Sequence, residues 1–434
     1  MSIDPALLQR ANAWLQEPFD EATQLEVRRM INSDPKSLSD AFFKELSFGT
    51  GGLRGLMGPG TNRLNIYTIR AATLGLARVL LKQSTNPSVF IGYDVRHHSK
   101  EFAEEATRVL TANGIRVYLT KEICPTPLVS FGCRFYRCSA AIMITASHNP
   151  SNYNGYKVYW SDGGQVVAPY DQEIIDEVRK IAIDQPIALS PLDSPLIQWV
   201  GDKLDEAYLA ALKSLQLHHA SPIKILYTPL HGTGIRILPS ALNSWGYSDL
   251  HLVEEQKKPD ADFTHASSLN PEEEKALKLG QEKQLQIKAD LLIATDPDAD
   301  RIGIAVLHQG KSVILTGNQI ACLCLHHICT TLHSREKFPS NAAFIKTIVT
   351  TELFRKIAEK FGGLCVDVLT GFKYIGQQIT LWQDTHQYLF GAEESHGYLF
   401  GTLVRDKDAI NSSCLIVEMA ALAKKQNLTL IPPL

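Results

Sequence analysis

The chain has 434 residues, 44% hydrophobic and 21% charged, with a formal net charge of −3. That length suits about three domains of ordinary size, and the near-neutral charge argues against a nucleic-acid partner. No apolar run approaches the length of a membrane span, and the first residues, with Asp4 and Arg10, lack the apolar core of a secretion signal.

Residues 1–46 read as a helical extension. Asp4-Pro5 has the form of an N-cap followed by Pro at the first helical position, and Leu7, Leu8, Ala11, Trp14 and Leu15 repeat at helical spacing. Asp20 caps a second helix, and a third is expected over 38–46. The stretch Phe48-Gly49-Thr50-Gly51-Gly52-Leu53-Arg54-Gly55 follows. It fits neither a dinucleotide fingerprint nor a Walker loop, and it presents Arg54 as a side chain able to reach a phosphate.

From there short apolar strands alternate with helices. In 47–190, strands are expected at 88–93, 115–119, 140–144 and 154–159, with helices at 101–112 and 128–136. A proline-bearing stretch at 184–194 reads as a linker. In 200–315, strands are expected at 223–227, 250–253 and 289–294, with a helix over 271–286. In 318–430, helices at 318–332 and 351–361 accompany strands at 342–349, 364–369 and 388–390. The chain is therefore expected to form three consecutive α/β domains with mixed sheets flanked by helices, around a shared cleft. Eight cysteines without a Cys-x-x-Cys pair read as free thiols in a reducing cytoplasm.

Three strands run into polar loops, where ligands of α/β folds collect. The first carries Thr145-Ala146-Ser147-His148-Asn149-Pro150, with a hydroxyl suited to nucleophilic work beside an imidazole. A turn with local hydrogen bonds would use the same residues. The second carries Asp296, Asp298 and Asp300, three hard carboxylates that repel one another unless a cation such as Mg²⁺ or Ca²⁺ neutralises them. An EF-hand is excluded, because its sixth and twelfth positions hold Arg301 and Leu307. The third carries Glu393 and Ser395, which would face the same way on an extended segment and could bond adjacent sugar hydroxyls. The run Arg405-Asp406-Lys407-Asp408 reads as a solvated mixed-charge stretch that also offers Lys407 to a phosphate.

Together these loops resemble the α-D-phosphohexomutases, the phosphoglucomutases and phosphomannomutases. The motifs are the loop around Ser147, Asp296-Pro-Asp-Ala-Asp-Arg301 and Gly391-Ala-Glu-Glu-Ser-His-Gly397. Arg54 in its glycine loop and Asn154-Gly-Tyr-Lys-Val-Tyr-Trp160 look closest to the phosphoglucomutase-2-like branch, which includes phosphopentomutase. The resemblance implies a cytoplasmic isomerase of carbohydrate metabolism, an intramolecular phosphotransferase. Such an enzyme would move phosphate between C1 and C6 of glucose or mannose through phospho-Ser147 and a bisphosphate intermediate.

It further implies one Mg²⁺ held by Ser147, Asp296, Asp298 and Asp300, and glucose 1,6-bisphosphate as activator. Glu393 and Ser395 would grip the sugar, and Thr370 and Gly371 would lie in the loop serving its two orientations. Arg54, His148, Lys157, Arg301, Lys346 and Lys407 match basic positions near the phosphoryl group. The general acid or base stays open among His148, His396 and Lys407. The family's fourth domain, with its Arg-Pro-Ser-Gly-Thr-Glu-Pro-like phosphate loop, has no counterpart in these residues. A separately encoded C-terminal fragment is therefore a partner to look for. Phosphopentomutase, a Mg²⁺-dependent sugar phosphatase and an inactive sugar-phosphate-binding fragment remain alternatives at this point.

Overall fold

The computed structural model describes residues 4–46 and 52–431. Phe48, Gly49, Thr50 and Gly51 of the glycine-rich stretch, and residues 432–434, lie outside the described residues. Three sheets follow one another along the chain. The first contains β1 (Leu53–Leu56), β2 (Ser88–Tyr93), β3 (Arg116–Thr120), β4 (Ala140–Ile144), β5 (Tyr153–Trp160) and β6 (Ile197–Val200), in the order β1-β5-β4-β2-β3-β6. The second contains β7 (Ile225–Thr228), β8 (Leu250–Leu252), β9 (Leu291–Thr295), β10 (Ile302–His308) and β11 (Lys311–Ile314), in the order β11-β10-β9-β7-β8. The third contains β12 (Ala342–Thr347), β13 (Leu364–Val368), β14 (Gln387–Glu393) and β15 (Gly397–Phe400), in the order β13-β12-β14-β15. Each has a parallel centre and antiparallel pairing on one side, so the sheets are mixed as expected.

The apolar runs become strands because both sheet faces are covered. Every residue of β4, β9 and β12 is buried. Alternate residues of β2 and β4 then serve opposite cores. Val89, Ile91, Ile142 and Ile144 pack under helices Ile66–Gln83 and Ser99–Ala112. Phe90, Ala141 and Met143 join a core that runs on through the second and third sheets. Truncating a residue such as Ile142 to Ala would cost about 2–5 kcal/mol.

The N-terminal helices Pro5–Ala13, Glu21–Ser33 and Pro35–Phe42 form their own small core. Trp14 stacks on Phe19 at 4.3 Å between ring centroids and meets Phe42 and Tyr67 edge-on. The third helix begins earlier than expected and stops at Phe42, because Asp34 caps it and Pro35 takes its first position.

Two of the larger differences share a cause. Helices Ile66–Gln83 and Ala409–Lys425 are absent from the sequence reading, and both are buried on most sides. A helix without a polar face shows no amphipathic period to detect. Strand β14 continues to Glu393, so Gly391-Ala392-Glu393 is strand where a loop is expected. Arg405, Asp406, Lys407 and Asp408 are all buried, which corrects the solvated reading of that run. The partners that permit this burial come from elsewhere in the chain. All eight cysteines are buried free thiols, and no described helix is long and apolar enough to cross a membrane.

Candidate active site

The loop after β4 is set by local bonds and by one arginine. Thr145 Oγ1 accepts the Ser147 N–H at 2.9 Å, and Ser147 sits at φ +54°, a left-handed conformation rare for a residue with a Cβ. Arg96 holds it there. Its Nη2 donates to the carbonyls of Ser147 (2.6 Å) and Asn149, and its Nη1 to those of Pro150 (2.6 Å) and Tyr153 (3.0 Å). The guanidinium is buried, with Asp94 Oδ2 at 3.2 Å from Nε and the Phe263 ring at 5.2 Å. Four carbonyls on one rigid fork fix the loop more firmly than its own turn bonds could.

So held, Ser147 Oγ donates to Asp296 Oδ2 at 2.8 Å, while His148 Nδ1 lies 3.2 Å from it. Burial, aided by Arg301, presses His148 down to about 4, so its ring is neutral at pH 7. Arg54, in β1, donates to Asn149 Oδ1 at 3.0 Å.

Asp296, Asp298 and Asp300 follow β9 and are all buried, with one oxygen of each within 4.8 Å of the others. Asp296 Oδ1 accepts the N–H groups of Asp300 and Arg301 at 3.1 and 2.9 Å. Asp298 Oδ2 accepts Thr126 Oγ1 and Lys157 Nζ, each at 2.8 Å. Asp300 Oδ2 faces Lys157 Nζ and Lys407 Nζ, each at 3.2 Å. Asp298 Oδ1 and Asp300 Oδ1, buried as they are, have no hydrogen-bond partner among the described residues, and Asp300 Oδ1 has only Arg301 Nε at 4.0 Å.

Burial and the two neighbouring carboxylates drive Asp296 upward. Burial opposes ionisation of Asp298 too, but Lys157 outweighs it and holds that carboxyl below its usual range. Three clustered oxygen donors with two orphaned buried oxygens fit a hard divalent cation such as Mg²⁺.

The third sheet closes the site. Glu393 ends β14, and its Oε1 accepts the Gly371 N–H at 2.9 Å. Gly371 needs its φ of +110°, which an L side chain rarely adopts. Ser395 lies in the turn between β14 and β15 rather than on an extended segment, yet it borders the same cavity as Glu393. Lys407 passes so close to Gly397 that a Cβ there would lie 2.2 Å from its Cδ. Its charge is kept by Asp300 and Asp406, against the effect of burial.

The resulting cavity, about 310 Å³, brings together Arg54, Ser147, Lys157, Asp300, Arg301, Thr370, Gly371, Glu393, Ser395 and Lys407. Asp296 and Asp298 stand behind its wall, and His148 faces a neighbouring cavity. Lys346 does not join them. Its Nζ turns to Glu352 (2.8 Å) and Asp367 (3.1 Å), within the third unit.

Sequence reasoning passed over Arg96, Thr126 and Lys373. Lys373 borders the cavity directly after the Thr370-Gly371 turn, and a basic residue in that place was the available signal. Arg96 showed only as part of an Asp-x-Arg strand end, and nothing local announces Thr126 as a partner of Asp298.

Three family models match in succession. They are the α/β/α domains I, II and III of phosphoglucomutase/phosphomannomutase, at residues 45–184, 206–310 and 316–431. The chain belongs to the phosphoglucomutase/phosphomannomutase family. A phosphoglucomutase of Staphylococcus haemolyticus is 39% identical over 396 residues, covering 90% of this chain and 71% of the relative. A phosphoglucomutase/phosphomannomutase family protein from Burkholderia thailandensis has the same fold at 18% identity. Its TM-score is 0.70, over 85% of this chain and 75% of that one. The fold also extends to the Aspergillus fumigatus N-acetylphosphoglucosamine mutase, solved with GlcNAc-6P and magnesium. There the TM-score is 0.54 at 14% identity, over 98% and 82% of the two chains.

Proposed function

We propose that the chain is a phosphosugar mutase that moves a phosphoryl group between C1 and C6 of a hexose by way of phospho-Ser147. The observation that carries this reading is the placement of Ser147 Oγ, 2.8 Å from Asp296 and on the wall of the cavity that also presents Glu393, Ser395 and Lys407. Ser147, Asp296, Asp298 and Asp300 are the residues that would hold Mg²⁺, which when bound supplies positive charge against the phosphoryl oxygens. Arg54, Lys157, Arg301 and Lys407 supply the remaining charge, as phosphoryl transfer demands more positioning and neutralisation than covalent chemistry.

In the forward half-reaction the P–Oγ bond of phospho-Ser147 breaks as a bond forms from phosphorus to a free hydroxyl of the sugar monophosphate. The hydroxyl proton goes to a base, and His148, neutral through burial, is the group we assign. Lys407, held protonated by its acids, suits the role of charge donor instead. The bisphosphate then reverses, with Glu393 and Ser395 gripping its hydroxyls in either orientation, and its other phosphoryl group returns to Ser147. Glucose 1,6-bisphosphate would prime the serine by the same step.

The test is a coupled assay on the purified chain with Mg²⁺, glucose 1-phosphate and trace glucose 1,6-bisphosphate, following glucose 6-phosphate. Signal that disappears in Ser147→Ala is expected. Ribose 1-phosphate run in parallel separates hexose from pentose preference. Silence with glucose, mannose and ribose 1-phosphates alike would overturn the proposal.

A further inference from the structure

A second cavity, of about 530 Å³, lies away from the active site and shares no lining residue with it. It opens between the connection 214–217, the start of β14 and the end of β15. Its walls are mixed, with an apolar side from Leu215, Leu217, Leu389 and Phe400 and a polar side that includes Gln216, Gln383, Gln387 and Thr402, and its lining includes no carboxylate. Lys337, an exposed residue, stands at the mouth.

Arg405 also lines this cavity, and it is only 5% exposed. Its Nη1 donates to the carbonyls of Thr402 (2.7 Å) and Val404 (3.1 Å), and its buried Nε has no partner. No carboxylate forms an ion pair with it among the described residues. Asp162, the acid whose field reaches it, already accepts the Gly164 N–H and the Thr380 hydroxyl. Arg134, on the same side, adds a second positive charge. Burial and Arg134 lower the Arg405 guanidinium to about 10, which still leaves it charged at pH 7.

A buried cation without a counter-ion is costly, and proteins rarely keep one without a partner. Arg405 is also the member of the buried run 405–408 that the mutase reading leaves unused. Asp406 bonds Lys407, Tyr159 and Gln165, and Asp408 caps the helix Ala409–Lys425.

We propose that this cavity binds a small organic oxyanion, a phosphate or carboxylate carried on an apolar body, with Arg405 at its floor and Lys337 at its mouth. A guanidinium matches either oxyanion with paired N–H donors. The apolar side, from Leu215, Leu217, Leu389 and Phe400, matches the body, and the polar side offers further donors to its oxyanion.

The experiment is hydrogen–deuterium exchange of the full chain with phenyl phosphate and, in parallel, with phenylacetate. Exchange is read at 214–217 and 383–389, segments that a ligand in the active-site cavity does not touch. Protection of both segments is expected, and the two probes show which oxyanion is preferred. Arg405→Met, checked for native melting, should abolish the protection. Lys337→Glu, on the surface, should raise the concentration needed about fivefold, the scale of an exposed charge pair. No protection in the wild-type chain, or protection unchanged in both variants, would overturn the proposal.

Discussion

Lys157 and Lys346 are both buried lysines on strands, of the first and third sheets, and their charges have opposite destinations. Lys157, in β5, leaves its own sheet to meet Asp298 and Asp300 of the second. Lys346, in β12, is matched within its own unit by Glu352 and Asp367, both partly or largely open to solvent. A pair made inside one α/β unit serves that unit and can form without the others. A pair made between units exists only once they have assembled, so it marks what they build jointly. Ser147 with Asp296, Thr126 with Asp298, and Lys407 with Asp300 are all of this second kind.

Breaking one of the joint pairs should have the largest effect. Asp298→Asn leaves Lys157 facing one carboxylate fewer in a buried place, so mutase turnover should fall about 10³-fold. Stability in urea should fall by about 3 kcal/mol. Turnover within tenfold of wild type would dissolve the distinction between the two lysines. Removing divalent cations with a chelator should abolish turnover and lower the melting temperature, and Mg²⁺ should restore both, since an ion bound only by the folded chain stabilises it. A melting temperature indifferent to chelation would count against the Asp296-Asp298-Asp300 cluster as its holder.

Arg96→Lys keeps the charge but loses the fork that spans four carbonyls. The expected result is about a 10²-fold loss in kcat with KM little changed, because Ser147 is misplaced while the sugar contacts survive. A change confined to KM would show that Arg96 does not position Ser147. Lys346→Met, by contrast, should leave turnover within about threefold of wild type and cost about 1 kcal/mol or less, the scale of a pair with exposed partners. A severe loss of turnover would place Lys346 with the joint residues after all.

The smallest effect is a pH dependence. Asp408 accepts the Tyr208 hydroxyl across units at 2.7 Å, and burial, with a contribution from Asp406, raises it from 3.8 to about 6. Between those values the folded chain holds a proton that the unfolded chain has released. The stability this confers is full below about pH 4 and is lost as pH rises to about 6. Over that interval the unfolding midpoint of the wild type should decline relative to that of Asp408→Asn, and a flat difference would contradict the assigned shift.

Much of this was legible in the sequence wherever a residue's type announces its own role. The strands 88–93 and 140–144 stand where their apolar runs place them, because those strands are covered on both faces. Ser147, the three aspartates and Glu393 were visible as reactive or hard-ligand groups at strand ends. What escaped was decided by partners far along the chain. Arg96 acts through carbonyls, which carry no sequence signal. The run 405–408 looks solvated because its partners, among them Tyr159 and Tyr208, come from other units. Lys346 looked equivalent to Lys157 because sequence does not show which carboxylate a long side chain will meet.

The core that joins one face of the first sheet to the second and third sheets bears on how such a protein can change over time. Phe90, Met143, Tyr208, Ile293 and Phe390 are members of one packing problem, although three separate sheets or their helices supply them. A unit exchanged for its counterpart from a distant relative would bring surfaces shaped for other neighbours. Recombination at the connections, however neatly placed, should therefore be tolerated only when the shared face travels with the unit, and inheritance should favour the three as a block.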